Sequence, residues 1–79
     1  MARIDLQKIK KIEKYRNKIQ DEVVATYTVF EEAGEKYFQI DTYGRNNREL
    51  PEKSSQILQF DKKVAKYLVN ILVKEFDLQ

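Results

Sequence analysis

The residues best equipped for chemistry lie in one stretch, YFQIDTYGRNNRELPEKSSQILQF, residues 37–60. Tyr37, Gln39, Asp41 and Tyr43 recur at every second position, the spacing that lines one face of a β-strand. Arg45, Asn46, Asn47 and Arg48 follow in the adjoining loop, and Gln56 and Gln59 flank the next apolar run. Tyrosine offers a stacking face, arginine a planar fork of donors, and glutamine a paired donor and acceptor. Those groups suit single-stranded nucleic acid. They are equally the groups that protein interfaces use. Each residue alone has a plainer reading: Asp41 paired with Arg45 or Arg48, the glutamines satisfying an edge strand, the tyrosines covering a sheet. As a cluster they read as a binding surface.

A second candidate lies at the start of the chain. Residues 1–20 carry seven basic and two acidic groups, residues 21–43 one basic and six acidic, and the remainder is net +2. Lys8, Lys10, Lys11, Lys14, Arg16 and Lys18 could neutralise phosphates, each contact steepening the salt dependence of binding. A solvated lysine face is the plainer account. The split charge also fits a basic arm folding against its own acidic hairpin.

Catalytic apparatus is excluded largely by inventory. The chain has no histidine and no cysteine, so Ser-His, Cys-His and zinc-water sites of the usual kind cannot be built. Two isolated glycines make no phosphate cradle. Asp41, Glu49 and Glu52 could be imagined around magnesium, but they lack the Asp…Glu-x-Lys spacing of common nucleases and read better as solvated carboxylates. The expectation is no enzyme, no metal and no cofactor.

These groups must be held by a small scaffold. At 79 residues, with 42% hydrophobic and 35% charged residues, the chain reads as one globular domain, 1–79, with a marginal core. With no disulfide available, self-association is the remaining way to stabilise it. No apolar run approaches the roughly 20 residues a membrane span requires, and no hydrophobic block follows the first basic residues as in a signal peptide. The expected location is the cytoplasm, with no membrane contact.

The expected fold class is α+β, in the order α-β-β-β-α, with a three-stranded, mostly antiparallel sheet. Leu6, Ile9, Ile12, Tyr15 and Ile19 recur at helical spacing behind a candidate cap, Asp5, predicting a helix over 5–19. Whether residues 1–20 pack on the body or project as an arm is open. A hairpin spans 22–43, turning at Gly34, and a short strand spans 55–60. Phe38, Ile40 and Thr42 face the core, with Leu58 and Phe60 from the third strand. Asp61 caps a helix over 62–76 whose main stripe is Val64, Leu68, Ile71, Leu72 and Phe76. Ala65, Val69 and Val73 form a second apolar row. That row either wedges the helix between the sheet and the first helix or makes a homodimer contact.

Two resemblances bear on this layout. From Tyr27 to Phe76, the DTYG segment, Arg48, SQILQF and the capped helix resemble a family of short uncharacterised bacterial and phage proteins. These are often labelled methionyl-tRNA formyltransferase-like, and the resemblance implies no established activity. From Tyr37 onward the layout is similar to the positive-cofactor-4 type of single-strand-binding domain, with its strand, basic proline-containing loop, second strand and helix. Pro51, Lys53, Ile57 or Leu58, and Phe60 fall in place, while Ser54-Ser55 stand where that family has glycine. That resemblance implies a dimer that binds single strands.

Two functions follow as expectations. The first is a non-enzymatic nucleic-acid-binding homodimer, with Tyr37, Gln39, Tyr43, Arg45 and Arg48 in contact and the lysines of the first helix, such as Lys8 and Lys11, assisting. The alternative is a small phage- or plasmid-type regulator that blocks a protein partner, with Asp21, Glu22, Glu31, Glu32 and Glu35 as a surface mimicking phosphates.

Overall fold

The computed structural model describes residues 1–44 and 53–78. It is α+β. Strands β1 (Ala2–Arg3), β2 (Ala25–Glu32), β3 (Glu35–Thr42) and β4 (Gln56–Asp61) precede one helix, α1 (Lys62–Phe76). The strands form one sheet in the order β1-β4-β3-β2, with β2-β3 and β3-β4 antiparallel and β1-β4 parallel.

The hairpin forms where β-branched and aromatic residues gather. Thr26, Tyr27, Thr28, Val29 and Phe30 prefer the extended backbone because their χ1 freedom survives there. All eight residues of β2 pair with β3, from Ala25↔Thr42 to Glu32↔Glu35. Ala33 and Gly34 make the connection, both with positive φ (53° and 81°). This is the two-residue turn whose twist matches that of the flanking strands.

Helix α1 starts where expected. Asp61 is extended, and its carboxylate accepts the Val64 N–H at 3.0 Å. At the other end Asp77 adopts the left-handed conformation, and the Leu78 N–H reaches the Val73 carbonyl at 3.0 Å. That bond spans the last turn and satisfies a carbonyl the helix leaves free. The helix rests chiefly on β4.

The predicted helix over 5–19 does not form. Residues 4–24 run irregularly, with a single turn at 6–8. Asp5 does cap that turn, its carboxylate accepting the Gln7 N–H at 2.9 Å. The physical reason lies in both faces of the segment. Lys8/Lys11, Lys10/Lys14, Lys11/Lys14 and Lys14/Lys18 would stand three or four apart on a helix, where like charges repel. The far end of the apolar stripe stays in water: Tyr15 and Ile19 are 98% and 96% exposed, while Ile9 near its start is half-buried. A helix of this length needs such packing to be stable in water. What ties the segment down is its beginning. Ala2 and Arg3 pair with Leu58 and Gln59, and the Ile4 N–H donates to the Gln59 carbonyl at 3.0 Å. The sheet therefore has four strands instead of three. Among the described residues it carries one helix, which removes one of the two readings of the Ala65, Val69 and Val73 row, the wedge between sheet and first helix.

The core is thin. Among the described residues, Val64 alone is fully buried, at 1% exposure.

Candidate interaction surface

Register assigns every strand residue to one of two faces, because directly paired residues point the same way. One face carries Tyr27 and Val29 of β2, Phe38 and Ile40 of β3, and Leu58 and Phe60 of β4. The other carries Thr26, Thr28 and Phe30, then Tyr37, Gln39 and Asp41, then Ile57 and Gln59, then Arg3.

The first face is apolar and aromatic. Tyr27 stacks on Phe38 with centroids 5.1 Å apart and planes 10° from parallel, and Phe38 stacks on Phe60 at 5.2 Å and 22°. Rings stacked in this way turn their flat sides to one another and their edges outward. They suit contact with aliphatic or aromatic groups of a partner better than base stacking, which needs a free ring face. The face is open: Tyr27 is 68% exposed and Val29 52%. Val29, Phe38, Phe60 and Ala65, with Lys36 and Lys62 at the rim, enclose a groove of about 290 Å³. Val69 and Val73, the remainder of the second helical row, are exposed on α1.

The second face holds the polar cluster. Tyr37, Gln39 and Asp41 share it as expected, and Gln59 joins them. Gln59 Nε2 donates to Gln39 Oε1, and Gln39 Nε2 to Asp41 Oδ1, each at 2.7 Å. Asp41 thus accepts from a neighbouring amide within its own strand. Tyr43, just beyond β3, shares a 3.0 Å hydroxyl bond with Thr26 Oγ1. Tyr37 is flanked from opposite edges of the sheet. Phe30 stacks on it at 5.5 Å, and the Arg3 guanidinium lies 5.7 Å from its ring centroid, with Nη1 donating to Tyr37 Oη at 3.4 Å. Phe30 and Arg3 both engage the ring.

Gln56 does not belong to this cluster. It pairs with Thr42, which places it with the apolar face. Three positions separate it from Gln59, an odd number, so strand alternation sends the two to opposite sides. Arg45, Asn46, Asn47, Arg48, Glu49 and Glu52 lie outside the described residues. Lys8 and Lys11 sit on the irregular segment, where Lys8 is exposed and Lys11 Nζ pairs with Glu75 Oε2 of α1 at 3.2 Å. Among the described residues no three acidic groups gather as metal ligands would.

Sequence reading missed Arg3 and Phe30 on the polar face, and Tyr27 and Val29 on the apolar one. The three β2 residues were legible from alternation once β2 was placed against β3. Arg3 was not, because a two-residue strand has no periodicity to detect.

Electrostatics separate the two faces further. Glu32, Glu35, Asp41 and Asp61 fall on the polar face, against one strand cation, Arg3. The apolar face balances Glu31 with Lys36.

No family model, curated protein or solved structure matches this chain. Among the described residues no helix is long and apolar enough to cross a membrane.

Proposed function

We propose that the chain is a non-enzymatic, cytoplasmic protein-binding module of the small-regulator kind, docking its partner on the apolar sheet face. One observation carries this reading. Tyr27, Val29, Phe38 and Phe60 make a continuous apolar surface that runs from β4, where α1 rests and Phe60 is half-buried, out to β2, where Tyr27 and Val29 stand exposed. Exposed apolar surface of this sort marks association sites. The groove at Val29, Phe38, Phe60 and Ala65 is sized for one or two aliphatic side chains of a bound segment. The residue inventory, lacking histidine and cysteine, supports a module without catalysis.

The test is a selection of displayed peptides against the wild-type chain, with Val29→Asp as the decoy. Enriched peptides with apolar residues at strand or helix spacing, binding wild type and losing at least tenfold affinity for Val29→Asp, support the reading. Enrichment that ignores Val29 overturns it.

Nucleic-acid binding is the second reading, favoured by the N-terminal segment, where Lys8, Lys10, Lys14, Arg16 and Lys18 are all exposed. The acidic balance of the polar sheet face and the engaged ring of Tyr37 move its support from that face to this segment. Fluorescence anisotropy with labelled single-stranded and duplex oligonucleotides decides it. Tight binding that weakens steeply with salt and is lost on replacing these lysines supports this second reading. No binding at low salt removes it.

A further inference from the structure

The two edges of the sheet differ. One ends in β1, two residues long, the kind of short edge strand that limits association. The other is β2, eight residues that pair with β3 at every position without a bulge. Its first six residues, ATYTVF, contain no charge, no proline and no glycine. Natural sheets usually blunt such an edge with those devices.

The backbone groups this edge offers can be assigned. The two-residue turn closes on Glu32 and Glu35, which exchange the first hydrogen bonds of the hairpin. Antiparallel alternation then directs the backbone groups of Thr26, Thr28 and Phe30 toward β3. Those of Ala25, Tyr27, Val29 and Glu31 point outward. The Tyr43 N–H to Val24 carbonyl bond, 3.0 Å, follows the same alternation.

We infer that this edge takes a second copy of the chain, β2 pairing antiparallel with its own image across a two-fold axis at Thr28. In that register Tyr27 lies opposite Val29 of the partner subunit, and Ala25 opposite Glu31 of the partner subunit. Charge selects the antiparallel arrangement. The acidic residues of β2 stand at one end, Glu31 and Glu32, so a two-fold sends them to opposite ends of the seam. A parallel copy would set like charges side by side. The apolar face also becomes continuous across the seam, extending the Phe60–Phe38–Tyr27 stack that now stops at an exposed Tyr27. The seam has open surface to cover: Tyr27 and Val29, which would meet there, are 68% and 52% exposed. The seam is made by backbone groups of the β2 edge, and cross-linking through Thr28, on the polar face, reads it separately from peptide docking in the groove.

The chain contains no cysteine, which allows a direct test. Antiparallel residues at a non-hydrogen-bonded position lie about 4.5 Å apart at Cα, within reach of a disulfide. Thr28→Cys on mild oxidation is expected to cross-link rapidly into a covalent dimer. Val69→Cys, on the exposed row of α1, is expected to cross-link far more slowly. Sedimentation equilibrium on the wild type is expected to give twice the 9.5 kDa chain mass. Val29→Pro removes an outward N–H that no hairpin bond uses, and should return the mass to one chain with an unchanged far-UV spectrum. Wild type at monomer mass at the highest soluble concentration overturns the inference. So does Thr28→Cys cross-linking no faster than Val69→Cys. If Val29→Pro fails to fold, the two cysteine variants decide alone.

Discussion

Gln59 hands a hydrogen bond to Gln39 across the β3-β4 pair at 2.7 Å, and Gln39 passes one on to Asp41 at the same distance. The chain of amides fixes both glutamines and gives Asp41 a neutral donor. Its members are half-buried, so water can take over part of the role of any one that is lost. Gln39→Ala is therefore expected to cost about 1 kcal/mol, the usual worth of a hydrogen bond that water can partly replace. Urea denaturation would show this as a lower midpoint with an unchanged slope. A loss several times larger would mean that the network, and not the apolar strand pairs, holds β3 against β4.

Asp61 closes β4 and opens α1 at once. Replacing it with alanine removes the acceptor for the Val64 N–H, and N-cap losses of this kind cost about 1 kcal/mol. Because Val64 is the buried anchor of the helix, the loss should appear in helical ellipticity before it appears in sheet signals. Asp61→Asn should retain most of the stability. Equal losses for alanine and asparagine would exclude capping as the cause.

Ala33 sits at φ 53°, where its Cβ crowds the following carbonyl. Ala33→Gly is expected to relieve about 0.5–1 kcal/mol of strain, partly offset by the greater freedom of glycine in the unfolded chain. Ala33→Asn should raise the melting temperature more clearly, giving the asparagine-glycine pair that two-residue hairpins prefer. Gly34→Ala should lower it. Nothing lies within 4 Å of a Cβ at Gly34, so that loss would come from its φ of 81° alone.

Lys11 and Glu75 join the N-terminal segment to α1 at 3.2 Å with side chains 74% and 54% exposed. An exposed pair of this kind contributes little, and Glu75→Gln should change global stability by less than about 0.5 kcal/mol. The readout that should move is local. Proteolysis near Lys11 should quicken in Glu75→Gln and in wild type at high salt, where the pair is screened.

The parts legible in the sequence were those set by local chemistry. Alternation placed Phe38 and Ile40 opposite Tyr37, Gln39 and Asp41, because a strand has a period of two whatever surrounds it. Gly34 marked the turn, and Asp61 marked the helix start, since both act on their nearest backbone neighbours. Tertiary structure decided the rest. The stripe from Leu6 to Ile19 has helical spacing, but spacing makes a helix only when a surface exists to bury it, and the described residues offer none to Tyr15 and Ile19, which are 98% and 96% exposed. Arg3 reached the polar face through a parallel pairing with Gln59, more than fifty residues away, a contact that no local pattern announces. Gln56 and Gln59 looked like one pair and were parted by register. The apolar face of Tyr27, Val29, Phe38 and Phe60 was written in the residues, while the exposure of Tyr27 and Val29 followed from where α1 came to rest, on β4.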